Sequence, residues 1–176
     1  NLKFNLVNHE QNQGYGAALK KGIKHSIYDK ICITDADGTY PNHMIPKLVD
    51  KLVEQNMDMV VGARIGQHVK IPPLRKPPKW AINKLANYLT NDKIPDLNSG
   101  LRVMRKEVVV KFMKILPDGF SFTSTITLAM LINKYSVKFE PLDYYVRKGK
   151  SKIRPIKDTI NFIHLIIRTC LYFDPL

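Results

Sequence analysis

Two carboxylates stand directly after a short apolar run, with one residue between them. The run at 31–34 predicts a buried strand, and Asp35 and Asp37 follow it. In an α/β protein ligands lie at the carboxyl ends of the strands, and residues i and i+2 of an extended chain point the same way. Such an oxygen-only, doubly negative pair suits Mg²⁺ or Mn²⁺ holding phosphate oxygens better than it suits zinc. A plain turn is the alternative, because Asp and Gly are common turn residues.

A glycine-rich segment opens the first predicted helix. Gly14 and Gly16 flank a tyrosine, and Leu19, Ile23 and Ile27 then recur at helical spacing. Backbone N–H groups at a helix N-terminus can hold a phosphate that a glycine-rich turn allows to come close. An ordinary helix start explains two glycines equally well, so this segment alone leaves both interpretations open.

The order of the elements predicts a Rossmann-like α/β fold. Apolar runs predict strands at 4–7, 31–34 and 57–62 with helices between them, an order typical of a mostly parallel sheet flanked by helices. The second half is predicted to contain a turn at 96–100, a strand at 101–104, a buried helix at 124–133 and a strand at 137–146. Pro141 predicts that this last strand lies at a sheet edge or contains a bulge.

The charge of the chain is strongly positive. Lys and Arg number 28 against 15 Asp and Glu, a net charge of +13, which favours polyanions such as nucleic acid, an anionic membrane surface or phosphorylated substrates. The length of 176 residues predicts one domain, and two cysteines without disulfide or zinc spacing predict a reducing compartment. The sequence has no initiator Met, signal peptide or membrane-spanning run and starts in a strand-like segment, so we expect a piece of a longer protein.

The last thirty residues combine a basic run with an apolar helix. Residues 147–154 carry five cations, and their Gly and Ser predict a donor-rich loop that favours phosphate binding over a solvated surface. The helix predicted at 155–173 has a narrow polar stripe and a wide apolar arc, which is typical of a helix in a membrane interface. Packing against the domain is the alternative. We therefore divide the chain into a domain at 1–154 and an amphipathic helix at 155–176, which we expect at a membrane interface.

Five short motifs occur in order along nearly the whole chain. They are Gly14-Tyr15-Gly16-Ala17-Ala18-Leu19, Asp35-Ala36-Asp37-Gly38-Thr39-Tyr40-Pro41, Gly62-Ala63-Arg64, Asp96-x-x-Ser99-Gly100-x-Arg102 and Arg147-x-Gly149-Lys150-Ser151-Lys152. This series resembles the family 2 glycosyltransferases of the dolichyl-phosphate mannose or glucose synthase type and their bacterial polyprenyl-phosphate relatives. The resemblance implies a nucleotide-sugar-binding domain of GT-A type. It also implies inverting transfer of a hexose from a UDP- or GDP-linked donor to a polyprenyl or dolichyl phosphate, at the cytoplasmic face of a membrane.

The resemblance also implies roles for individual residues. Asp35, Asp37 and Thr39 would hold Mg²⁺ or Mn²⁺ together with the donor diphosphate. The residues assigned to catalysis are Asp37, Asp96 and Arg102. The residues assigned to donor or acceptor phosphates are Gly14, Gly16, Lys20, Asp35, Arg64, Arg147, Lys150, Ser151 and Lys152. The expected partners are a nucleoside-diphosphate sugar, a polyprenyl phosphate and an anionic membrane surface, and not nucleic acid.

Three features depart from the family pattern. The family's Pro-x-x-Asn-Glu strand and Asp-Asp-x-Ser segment would precede residue 1, so base and ribose recognition is assigned to no residue here, and full activity is expected of the longer protein. Thr39 stands where many members have a glutamine, and Leu101 stands where an aromatic residue is usual.

Three alternatives compete with a phosphate acceptor. A hydroxyl acceptor would need a general base, for which Asp96 is the candidate, whereas a phosphate monoester is already ionised near neutral pH. A haloacid-dehalogenase-type phosphatase with Asp35 as nucleophile would need a later acidic pair that the sequence lacks. A non-enzymatic polyanion-binding or membrane-binding module would leave the two carboxylates unexplained, and the sequence offers neither an aromatic stacking platform nor a recognition helix for nucleic acid.

Overall fold

One four-stranded sheet covered by helices on both faces forms the body of the protein. The computed structural model describes residues 4–66, 84, 86–87, 90, 92–145, 163–169 and 171–172 of the 176-residue chain. The strands are β1 (Lys30–Ile33), β2 (Met59–Arg64), β3 (Arg102–Arg105) and β4 (Val137–Leu142). The helices are α1 (Tyr15–His25), α2 (Ile45–Glu54), α3 (Lys106–Phe112) and α4 (Phe122–Ile132), and a 3₁₀ turn at Asn42–Met44 precedes α2.

The sheet is mixed, with the strand order β1-β3-β2-β4. Strands β2 and β4 are parallel, whereas β3 is antiparallel to both β1 and β2. Thus β1, β2 and β4 share one direction and β3 alone runs against them, which confirms the α/β prediction with one inverted strand. Because β3 runs the other way, the residues that precede it lie at the carboxyl ends of β1 and β2, where Arg102 pairs with Ile33 and Val61.

The prediction of a strand at residues 4–7 is wrong. This segment has no strand geometry, and the side chains of Phe4 and Leu6 are 82% and 74% exposed. A strand needs a neighbour for its backbone N–H and C=O groups, and none of the described strands pairs with residues 4–7. The strand predicted at 137–146 is an edge strand of the described sheet, as Pro141 indicates, but it ends at Leu142.

Successive side chains of the strands point to opposite faces of the sheet, and an apolar core lies on each face. Met59 and Val61 of β2 pack with the apolar residues of α1, α3 and α4 on one face, whereas Val60 packs with Leu48 and Leu52 of α2 on the other. Helix α4 is buried along Phe122–Leu131, which confirms the predicted buried helix. At about 25 cal/mol per Å² of apolar surface, burial on both faces of the sheet supplies the main driving force for the fold.

A third apolar cluster lies beneath the helical residues 163–169. Ile166 is fully buried in this cluster, which also contains Ala86, Ile94, Leu97, Leu128 and Leu131. Leu165 and Thr169 are buried as well, while Ile167, Leu171 and Tyr172 are exposed. The apolar arc of the C-terminal helix is therefore divided, with one side packed on the domain and the other facing outward.

Candidate functional site

The two carboxylates lie in a tight turn at the carboxyl end of β1. Asp37 Oδ1 accepts hydrogen bonds from the backbone N–H of Thr39 at 3.2 Å and from its hydroxyl at 2.6 Å. Gly38, between Asp37 and Thr39, has a φ of +72°, a left-handed conformation that favours glycine. Thr39 is 1% exposed, and its two hydrogen bonds orient the Asp37 carboxylate.

Asp35 is half-buried between α1 and the turn that precedes β3. The hydroxyl of Tyr15, the first residue of α1, lies 3.5 Å from Asp35 Oδ1. On its other side, the Asp35 carboxylate packs against Gly100, at the place where any other residue would have its β-carbon. Burial, followed by the negative charge of Asp35, raises the pKa of Tyr15 to about 12, so Tyr15 is a neutral hydrogen-bond donor at neutral pH.

The carboxylate pair fits a cation that receives its other ligands from a substrate. Among the described residues, no group of three or more His, Cys, Asp or Glu side chains converges to hold a metal alone. Mg²⁺ is commonly bound through one or two carboxylates together with substrate phosphates and water, and Mn²⁺ accepts the same oxygen ligands. Asp35 and Asp37 could therefore hold such a cation together with the phosphates of a substrate.

The buried Asp96 forms an ion pair with the partly exposed Arg64 next to this turn. Arg64 Nε donates to Asp96 Oδ2 at 2.7 Å, Arg64 Nη2 donates to Oδ1 at 2.9 Å, and the Arg64 backbone N–H donates to Oδ2 at 2.9 Å. The guanidinium also lies 5.3 Å from the ring centre of Tyr144. Burial alone would lower the pKa of Arg64, but the hydrogen bonds and the charge of Asp96 outweigh burial and raise that pKa. The Asp96 carboxylate therefore holds both the side chain and the backbone N–H of Arg64.

Arg102 is fully buried in the core and holds backbone carbonyls. Its Nη1 donates to Thr123 O and Thr127 Oγ1, both at 2.9 Å, and its Nη2 donates to Ser99 O. Its Nε has no hydrogen-bond partner in the described part of the chain. Burial lowers the pKa of Arg102 to about 10, which leaves the guanidinium charged at neutral pH. Arg102 thus connects the turn before β3 to α4 from within the core.

The residues at the start of α1 that were predicted to bind phosphate contact a second turn, at 117–119. A side chain at Gly14 or Gly16 would collide with backbone atoms of Pro117 and Asp118, and the Ala17 N–H donates to Asp118 O at 3.0 Å. Lys20 pairs with the Asp118 carboxylate at 2.7 Å. Close packing of α1 on this turn explains both glycines, which is the ordinary alternative to phosphate binding that the sequence left open.

Four predicted phosphate contacts, Arg147, Lys150, Ser151 and Lys152, lie outside the described residues. The segment that leads toward them is described as far as Tyr145. The backbone N–H of Tyr145 donates to Thr39 O at 2.9 Å. The chain therefore leaves β4 from a point hydrogen-bonded to the turn that carries Asp37.

Three residues without a predicted role frame the carboxylates. Tyr40 is 4% exposed, and its hydroxyl accepts the Gly100 N–H at 2.7 Å. Tyr15 contacts Asp35 and stacks on Phe120 with ring centres 5.9 Å apart. Tyr40, Gly100 and Tyr15 all stand inside the sequence motifs, but contacts between motifs that are distant in sequence were needed to give them a role.

Comparison with known proteins identifies the family. The sequence pattern of glycosyl transferase family 2 matches residues 1–112, well over half of the chain. The chain belongs to glycosyl transferase family 2. It is 28% identical over 163 residues to a dolichyl-phosphate hexose transferase of Haloferax volcanii, a match that covers 92% of this chain and 70% of the relative. It is 29% identical over 158 residues to a dolichol-phosphate mannosyltransferase of Pyrococcus furiosus, covering 85% of this chain and 43% of the relative.

Solved structures place this family 2 chain in the GT-A glycosyltransferase fold. Glucosyl-3-phosphoglycerate synthase of Mycobacterium tuberculosis, in complex with Mn²⁺, UDP-glucose and phosphoglyceric acid, superimposes with a TM-score of 0.65 at 16% identity. The match covers 89% of this chain and 55% of that chain, so this family 2 chain spans about half of the neighbour's length. The predictions of a glycosyltransferase and of a GT-A-type α/β domain are confirmed.

Proposed function

We propose that this domain is the catalytic part of a metal-dependent, inverting polyprenyl-phosphate hexosyltransferase. The donor is a UDP- or GDP-linked hexose and the acceptor is a polyprenyl or dolichyl phosphate. The observation that carries the proposal is the pair Asp35 and Asp37 at the end of β1, in a family 2 chain whose relatives include two enzymes named for dolichyl or dolichol phosphate.

In the proposed reaction an acceptor phosphate oxygen forms a bond to the anomeric carbon of the hexose. The bond from that carbon to the donor diphosphate breaks, and the nucleoside diphosphate leaves with the electron pair. Asp35 and Asp37 would hold Mg²⁺ or Mn²⁺ against the diphosphate, and the bound cation would offset the charge that develops on the leaving phosphate. Thr39 and Tyr15 keep the two carboxylates oriented through the hydrogen bonds described above.

The surroundings of Asp96 favour a phosphate acceptor over a hydroxyl acceptor. A hydroxyl acceptor needs a general base with access to the acceptor, but Asp96 is 1% exposed and accepts three hydrogen bonds from Arg64. Hydrogen bonds and positive charge on a carboxylate favour its ionised form and weaken it as a base. A phosphate monoester, with a second pKa of about 6, requires no such base.

Positive charge supplies the second argument for anionic substrates. The net charge of +13 attracts phosphates, and the basic run at 147–154 follows a segment hydrogen-bonded to the Asp37 turn through Tyr145 and Thr39. We propose that Arg147, Lys150, Ser151 and Lys152 contact donor or acceptor phosphate. Ammonium and guanidinium groups form short, strong hydrogen bonds to phosphate oxygens.

We also propose that the domain works at the cytoplasmic face of a membrane. The exposed side chains Ile167, Leu171 and Tyr172 form an outward apolar side on the C-terminal helix, with Arg168 between them in sequence. An apolar face with flanking cations suits the interface of an anionic bilayer, where a lipid phosphate would be presented. In the part of the chain that the structure describes, no helix is long and apolar enough to cross a bilayer.

Two measurements on the full-length protein test the proposal. Titration calorimetry should show Mn²⁺-dependent binding of a UDP-hexose or a GDP-hexose. A transfer assay in vesicles should then label polyprenyl phosphate and not the matched polyprenol, which offers a hydroxyl in place of the phosphate. Absence of Mn²⁺-dependent binding for both donors would contradict the transferase, whereas label on polyprenol would favour the hydroxyl-acceptor alternative.

A further inference from the structure

Gly100 has no room for a β-carbon, and its backbone conformation does not itself require glycine. Its φ lies outside the left-handed region that favours glycine. A β-carbon at this position would lie 2.7 Å from Asp35 Oδ2 and 2.9 Å from both Asp35 Cγ and Oδ1. Real β-carbons essentially never lie closer than 3.0 Å to such atoms. The hydrogen face of Gly100 is thus in direct contact with the Asp35 carboxylate.

The segment that carries Gly100 is fixed on three sides. The Gly100 N–H donates to the Tyr40 hydroxyl at 2.7 Å, and Ser99 Oγ donates to Gly62 O at 2.5 Å. The buried guanidinium of Arg102 donates to Ser99 O. Ser99 and Arg102 are fully buried and Tyr40 nearly so, which makes these hydrogen bonds costly to break.

A methyl group at position 100 would therefore move Asp35 and not the backbone. All three atoms nearest to the added carbon belong to the Asp35 carboxylate, the far end of a flexible side chain. By contrast, an added carbon at Gly16 would meet the backbone of Pro117 and Asp118. Substitution at Gly100 thus displaces a functional group, while substitution at Gly16 disturbs the fold.

We infer that Gly100 is a positioning residue that sets the place of the Asp35 carboxylate for the metal and the donor diphosphate. Tyr40, Ser99 and Arg102 act behind it by holding the segment rigid. The inference rests on the proposed function, because it assigns Asp35 to a bound cation. It also accounts for the Ser99-Gly100-x-Arg102 motif, in which the serine and arginine fix the segment and the glycine leaves room for the carboxylate.

The test is the Mn²⁺ affinity of the full-length Gly100→Ala protein, measured by electron paramagnetic resonance with UDP and, separately, with GDP present. We expect the Mn²⁺ dissociation constant to rise about ten- to a hundredfold, the range seen when a residue that orients a metal ligand is lost. The Mn²⁺ concentration for half-maximal transfer should rise by the same factor. Circular dichroism and the melting temperature should stay close to those of the natural protein.

Gly22→Ala is the matched control. Gly22 is an exposed glycine of α1 with no atom near its absent side chain, so the same added methyl group should leave Mn²⁺ affinity unchanged. Natural Mn²⁺ affinity in Gly100→Ala, or an equal loss in Gly22→Ala, would overturn the inference while leaving the proposed function intact. Failure of the natural protein to bind Mn²⁺ with either nucleotide would instead overturn the proposed function, and the inference with it.

Tyr40→Phe tests the same inference without added volume. It removes only the hydroxyl that accepts the Gly100 N–H and should weaken Mn²⁺ binding several-fold. If Gly100→Ala does not fold, this variant decides: a folded Tyr40→Phe protein with weakened Mn²⁺ binding supports the inference, and unchanged Mn²⁺ binding overturns it.

Discussion

Arg64 and Asp96 form a bidentate ion pair that joins the end of β2 to the turn before β3. Asp96 also accepts the Arg64 backbone N–H, so one carboxylate fixes both the side chain and the main chain of Arg64. The same turn continues into Gly100, which contacts Asp35. The ion pair therefore stabilises the loop that forms one wall of the carboxylate site.

Removal of the Asp96 charge should destabilise the fold. Asp96→Asn leaves the Arg64 guanidinium without its buried counter-charge, and we expect a loss of about 2–4 kcal/mol, slightly below the range for a fully buried pair because Arg64 is partly exposed. Urea denaturation measures the loss. Asp29→Asn removes one partner of an exposed pair with Lys30 and should change stability far less than Asp96→Asn does. Equal losses in the two variants would show that the Arg64–Asp96 pair has no special role.

Asp37→Asn should abolish metal-dependent turnover without unfolding the turn. The amide keeps an oxygen that can accept the Thr39 hydrogen bonds but lacks the negative charge needed for a divalent cation. We expect a fall in kcat of at least about a hundredfold, the scale for removal of one electrostatic contact to a developing charge. A Mn²⁺-dependent transfer assay checks this, with Asp50→Asn on the exposed side of α2 as the charge-matched control. Near-natural activity of Asp37→Asn would refute its metal role.

Gly16→Ala should lower stability because α1 packs tightly on the turn at 117–119. The added carbon would collide with backbone atoms, which cannot rotate away, and overpacking of this kind costs about 1–3 kcal/mol or more. Gly22→Ala in the same helix meets nothing and should gain about 0.5–1 kcal/mol from helix propensity. Chemical denaturation of the pair gives the comparison. A stable Gly16→Ala protein with weakened diphosphate binding would return this glycine to the phosphate-binding role.

Tyr15 should make the protein sensitive to alkaline pH. Its pKa is raised to about 12 from the ordinary value of 10, so the folded state binds the phenolic proton more tightly than the unfolded state does. The stability that Tyr15 contributes is fully present below pH 10 and is lost as the pH rises from 10 to 12. Tyr15→Phe should lose less stability over that interval, as measured by urea midpoints at successive pH values. Parallel pH curves for the two proteins would contradict the burial of this hydroxyl.

Lys150→Ala and Lys152→Ala should weaken the handling of phosphate while the fold stays intact. We expect each variant to raise KM for the donor or for the lipid phosphate by about tenfold, as loss of a charge-assisted hydrogen bond of about 1.5 kcal/mol would do. Steady-state kinetics with both substrates measures the change. Lys138→Ala removes a partly exposed lysine of β4 that donates to Gln55 Oε1 and serves as the control. Kinetics indistinguishable from that control would assign residues 147–154 to the solvated surface.

Local sequence patterns predicted the strands and helices that depend on local burial. The apolar run before Asp35 forms β1, and the uncharged, largely apolar segment after Ser121 forms the buried α4, because period and composition decide these elements. The carboxylate pair at the end of β1 was predictable for the same reason. The segment at 4–7 has the composition of a strand, but it pairs with none of the described strands. The local sequence pattern does not show whether a partner strand lies beside it.

Contacts between distant parts of the chain were beyond such patterns. The glycines at 14 and 16 pack on a turn about a hundred residues later, and Asp96 pairs with Arg64, on a strand thirty-two residues earlier. The direction of β3 depends on where the chain returns to the sheet, which hydrophobic period does not encode. The burial of Arg102 also followed only from the fold, since a lone arginine after a turn is usually exposed.

The insertion of β3 between β1 and β2 has a consequence for biosynthesis. Within the described sheet β1 hydrogen-bonds only to β3, whose paired residues come about seventy positions later. At about 5–20 residues per second, a ribosome needs roughly 4–14 s to add that length. During this interval Ile31 and Ile33 of the nascent chain lack the strand that later pairs with β1. The strand that leads into Asp35 is therefore a natural place for a chaperone to bind before β3 pairs with it.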